Sequence, residues 1–143
     1  MLDPDSIQLV RDLEACEIPA GAFHHEQHLR VAWTLLEEDG LLVALGRFPR
    51  VLRRFAEYHG AYTLYHETIT WAFLFLIQER RHQLPADHGW EEFARANPEL
   101  LQDHKGTLAR YYSKERLDSD LARSVFLMPD RCPLPAAGTE ATP

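Results

Sequence analysis

The chain has 143 residues, of which 45% are hydrophobic and 26% charged, and its formal net charge is −7. One domain of this length can bury its own core without disulfide or metal staples. The acidic balance disfavours a nucleic-acid partner, because phosphate backbones are bound chiefly through Lys and Arg. Cys16 and Cys132 lie far apart and form no Cys-x-x-Cys pair, which points to a reducing compartment rather than a disulfide scaffold. The start, Met1-Leu2-Asp3-Pro4-Asp5, does not read as a signal peptide. The longest apolar run, Ile69 to Ile77, is too short to span a bilayer. A cytoplasmic protein with no membrane partner is expected.

Helical periodicity recurs along the chain and alternating β-branched runs do not. Asp5 or Ser6 is placed to cap a first helix that carries Ile7, Val10, Leu13 and Cys16 and stops before Pro19. A second helix is predicted from about His24 to Glu38, with Leu29, Ala32, Trp33 and Leu36 as its apolar stripe. Gly40 ends it. Leu41 to Leu45 reads as a short helix interrupted by Gly46, with Pro49 in the first turn of the next. That next helix carries Val51, Leu52, Phe55 and Tyr58, and Gly60 closes it. The fourth, about Leu64 to Gln83, is apolar on every face from Trp71 to Ile77 and is predicted to be the most buried. Short helices follow at Trp90 to Ala96, Pro98 to Leu101, Leu108 to Tyr112 and Leu117 to Phe126. The expected fold is all-α: an irregular bundle of about four main helices plus short C-terminal ones, with one domain over 1–128 and a disordered tail over 129–143.

Eight histidines are present, and two polar clusters, one with three histidines and one with a single histidine beside a glutamate, are the candidates for chemistry. In the first, Phe23 to Leu29, His25 lies about 40° around the helix from Leu29, and His28 about 60° from His25. Both therefore face the bundle interior. The second cluster, Tyr65-His66-Glu67-Thr68-Ile69-Thr70, opens the fourth helix. His25, His28 and His66 together suit a divalent metal, iron or zinc, with Glu67 as a fourth ligand or general base. A metal-bound water would then serve hydrolysis or a lyase step, and iron would suit oxygen chemistry. Tyr65, Thr70 and Arg123 are the candidates to orient a small-molecule substrate. The plainer reading makes these histidines core or capping groups and leaves Glu67 as a first-turn acid favoured by the helix dipole. His104 reads as a solvated loop residue, and His59, His82 and His88 as exposed. Arg50, Arg53 and Arg54 read as the solvated face of a helix.

No Gly-x-Ser-x-Gly elbow, phosphate-binding Gly-rich loop or His-Glu-x-x-His appears. The patterns Phe23-x-His25-x-x-His28-Leu29, Tyr65 to Thr70, Tyr111-Tyr112-Ser113 with Leu117, Ala122-Arg123 and Pro129-Asp130 resemble those of a group of small bacterial all-helical proteins. The resemblance spans Phe23 to Asp130. It implies a bacterial source and pairs His25, rather than His24, with His28; it implies no reaction. Two function classes follow: a small-molecule enzyme or binding protein with a His-rich, metal-holding site, or a non-enzymatic module that binds a ligand or protein through an apolar face, with structural histidines. A homodimer is compatible with either.

Overall fold

The computed structural model describes residues 1–132. Among them the regular structure is helical: α1 (Pro4–Glu14), α2 (His25–Asp39), α3 (Leu41–Tyr58), α4 (Glu67–Arg81), then α5 (Trp90–Ala96), α6 (Pro98–Gln102), α7 (His104–Ala109), α8 (Lys114–Leu117) and α9 (Asp120–Ser124). Two single 3₁₀ turns, Ala20–Ala22 and Tyr62–Leu64, join α1 to α2 and α3 to α4. The fold is all-α, with α2, α3 and α4 packed on one another, α1 against α2 and α3, and α9 against α4. No helix among the described residues is long and apolar enough to cross a membrane.

Local chemistry accounts for the ends of these helices. Asp3, not Asp5 or Ser6, caps α1: its carboxylate accepts the Ser6 N–H at 2.8 Å, and Pro4 fills the first helical position. The Gln27 side chain reaches back to the His24 N–H at 2.9 Å and steadies the start of α2. Gly40, with φ of 79°, is the single residue between α2 and α3; a side chain would be strained there. Asn97 and Pro98 open α6, and Ser113 and Ser119 cap α8 and α9.

Three expectations change. First, Gly46 and Pro49 do not break α3, which runs through both. Pro49 forgoes one intrahelical N–H, a cost of about 3 kcal/mol in a helix interior; it is buried beside Phe48, Val51 and Leu52, whose burial offsets it.

Second, α4 shares its burial with α2, each having seven buried residues of fifteen, and α4 is not enclosed on every face. In α2 all six residues from Val31 to Leu36 are buried, Thr34 included, because other helices cover more than one face of it. In α4, by contrast, Phe75 is 39% exposed and Trp71 only half-buried. On this side of α4 the segment after α9 lies across it, and Phe126 stacks on Trp71 at 5.2 Å.

Third, the start of the expected disordered tail is tied down. Asp130 accepts the Ser113 N–H at 2.7 Å, and the Arg131 N–H donates to the Tyr111 carbonyl at 2.9 Å. The remainder of the expected tail, 133–143, lies outside the described residues.

Candidate functional site: a two-lobed cavity around His28

A cavity of about 710 Å³ opens between α2, α3, α4 and the α7–α8 segment. Leu29, Ala32, Phe48, Leu52, Ile69 and Phe73 give it apolar walls, and His25, His28, Thr70 and His104 supply polar groups. A second cavity of about 340 Å³ lies toward the C-terminal end of α3, lined by Phe23, Phe55, His59, Tyr65 and His66 among others. His28, Leu52, Ile69 and Thr70 line both. The two cavities therefore adjoin, with these four side chains standing where they come together. Apolar cavities with a few convergent polar groups are the usual form of small-molecule sites.

His28 stacks on Phe23, ring centroids 4.1 Å apart. Among the described residues, neither of its ring nitrogens has a hydrogen-bond partner, and no fully buried side-chain nitrogen or oxygen is left unpaired. The His28 nitrogens therefore open onto the cavity space that the ring lines. Burial, reinforced by neighbouring His25, lowers its pKa to about 4, so the ring is neutral at physiological pH and offers one donor and one acceptor.

His25 sits one turn earlier. Its Nε2 lies 2.7 Å from the Leu100 carbonyl, which can only accept, so the proton is on Nε2. His104 stacks on it at 4.1 Å. Burial pushes the His25 pKa down, the Leu100 carbonyl opposes this, and His104 adds to the lowering. His104 is thus part of the cavity wall and not a solvated loop residue. The only local signal for this was the Asp103 cap, which accepts the Gly106 N–H at 3.2 Å and places His104 at a helix start.

The remaining candidates are engaged by partners of their own. His66 is the N-cap of α4: its Nδ1 accepts the Ile69 N–H at 3.1 Å, and its Nε2 donates to the Leu117 carbonyl at 2.7 Å. Burial lowers its pKa, which suits this neutral form. With both nitrogens engaged, His66 has no lone pair for a metal. Among the described residues no group of three His, Cys, Asp or Glu side chains is placed to hold a metal ion. The expected His25, His28 and His66 ligand set for iron or zinc is therefore not assembled.

Glu67 turns the other way. Its carboxylate accepts from the Tyr65 hydroxyl at 2.6 Å, from the Trp71 indole at 3.0 Å and from the Arg53 guanidinium. Arg53 also lies 4.9 Å over the Tyr65 ring, so it is a structural partner and not merely a solvated charge. Burial and the Glu67 carboxylate raise the Tyr65 pKa. These donors leave Glu67 poorly placed as a fourth ligand or a free base. Arg123 donates to the Thr63 carbonyl at 3.3 Å and lines an open cleft with Arg53 and Tyr65. Thr70 donates to the His66 carbonyl at 2.7 Å, the back-bond open to a helical threonine.

The late motif is a staple. Thr68 donates to the Val125 carbonyl at 2.9 Å and accepts the Leu127 N–H at 3.1 Å, and Tyr112 donates to the Leu127 carbonyl at 2.7 Å. His88, read as exposed, is 2% exposed: its Nε2 accepts the Trp33 indole N–H at 3.0 Å and its Nδ1 donates to the Pro85 carbonyl at 2.8 Å. Trp33 and Trp90 are buried and form no outer apolar face.

No known protein family matches this chain, and neither a curated protein nor a solved structure matches it.

Proposed function

We propose that the chain is a helical module that binds a small, largely apolar organic molecule in the two-lobed cavity, with His28 meeting a polar atom of that ligand. The observation that carries this reading is the neutral imidazole at the junction of two apolar lobes, with no hydrogen-bond partner among the described residues. The ring nitrogens open onto the cavity with one donor and one acceptor uncommitted, so a ligand hydroxyl or carbonyl can pair with them. Binding is favoured over catalysis because a general base works best with a pKa near the operating pH, and His28 lies well below it. Cys16 and Cys132 are both unpaired, which favours a reducing compartment such as the cytoplasm.

The test is a thermal-shift screen of chemically diverse small molecules on the parent and on His28→Leu. A ligand at a hundredfold its Kd adds about 2.7 kcal/mol to folded-state stability. Compounds that raise the parent Tm and lose most of that effect in His28→Leu support the reading. Silence across the screen, or equal shifts in both proteins, overturns it.

A further inference from the structure

The cavity has distinguishable ends. The larger lobe opens beside α7 and the residues following it, where Lys105, Lys114, Asp118 and Arg131 stand at its lining. Lys114 pairs with Asp118 at 2.7 Å. Lys105 has no ion-pair partner among the described residues. Arg131 is held by two bonds, its backbone N–H to Tyr111 and its side chain to the Ala109 carbonyl, each at 2.9 Å. The side-chain bond uses one of five guanidinium N–H groups and leaves the others to face a ligand. On a chain of net charge −7, this mouth carries a local surplus of positive charge over an apolar interior. The far lobe, past His28, carries Phe23 and Phe55 and, among the described residues, no Lys, Arg, Asp or Glu side chain.

We propose that the ligand is an extended apolar acid, its carboxylate at the mouth beside Lys105 and Arg131 and its apolar chain running past His28 into the second lobe. This rests on the binding-site reading above and names the ligand class for that site. A pre-positioned guanidinium suits a carboxylate because its N–H groups match the two oxygens. The apolar chain gains by leaving water in proportion to its length, about fourfold in affinity per buried methylene.

The experiment is calorimetric titration of octanoate, dodecanoate and dodecanol, each below its aggregation limit, with the ring nitrogens of His28 followed by NMR. The parent is expected to bind dodecanoate more tightly than both octanoate and dodecanol. Lys105→Gln combined with Arg131→Gln lowers dodecanoate affinity about tenfold and leaves dodecanol unchanged. Ala56→Phe, which narrows the second lobe, removes the advantage of dodecanoate over octanoate. Equal binding of acid and alcohol, or indifference to the double charge variant, overturns the carboxylate assignment. Equal binding of the two acids by the parent overturns the path past His28. If no acid binds while other compounds still stabilise the parent through His28, the acid inference fails and the binding-site reading stands. If nothing shifts the His28 ring signals, both fail.

Discussion

The His66 ring joins α4 to α8: Nδ1 accepts the Ile69 N–H at the head of α4, and Nε2 donates to the Leu117 carbonyl 2.7 Å away. One neutral imidazole thus closes a helix end and fastens a segment 51 residues further along the chain. His66→Ala is expected to lower stability by about 1–3 kcal/mol, from the lost cap and the unpaired carbonyl. His66→Asn, which keeps a capping oxygen, recovers part of it. Denaturant unfolding of the three proteins checks this, and an unchanged midpoint for His66→Ala would contradict the capping role.

Acidification should expose the buried histidines. The unfolded chain protonates His28 near its ordinary value of 6.5, but the native protein does so only near about 4. The native state therefore binds fewer protons between those values, and stability present above 6.5 is lost as pH falls through the window. For His28 alone the loss approaches about 3 kcal/mol once pH is below its native pKa. His25 and His66, also lowered by burial, add in the same direction. A flatter stability–pH curve for His28→Leu over this range, with an NMR titration of the His28 ring in the parent, tests the assignment.

Glu67 is expected to matter for folding and not for the cavity. Its carboxylate collects Tyr65, Trp71 and Arg53; Glu67→Gln keeps the shape but removes the charge and one acceptor. With Arg53 about half exposed, solvent screens part of the ion pair, so a loss of about 1–2 kcal/mol is expected. Ligands that stabilise the parent should bind this variant with unchanged affinity. A selective loss of ligand binding would instead move the site to the Glu67 side of α4.

Cys16 adopts φ of 55°, the one left-handed non-glycine residue among those described. It follows α1, where glycine is the usual occupant. Cys16→Gly should stabilise the protein by about 1 kcal/mol, since an L side chain costs roughly that in this conformation. A shift of the melting midpoint upward is the expected readout; a fall would show that the side chain's packing outweighs the strain.

The helices were legible because their determinants are local. Apolar spacing in α2 and α4, the Asn97-Pro98 start, and glycines at 40 and 60 act within a turn or two of the residues they organise. Pro49 reads locally as a helix start for the same reason: its local cost is real, but only packing against the rest of the bundle decides whether a helix absorbs it. The candidate site was legible as residue types and not as roles. That His25 and His28 face inward follows from helical geometry. Which ring nitrogens remain available follows from carbonyls 75 and 51 residues away, those of Leu100 for His25 and Leu117 for His66. The positive mouth likewise joins Lys105 to Arg131, which only the stapling of the last segment by Thr68, Tyr112 and Ser113 brings together. The sequence alone therefore determined an all-helical chain with inward histidines. Tertiary structure decided that His66 is structural and that His28 faces a cavity, because a hydrogen-bonding group's role depends on the partners that reach it, and those partners are distant in sequence.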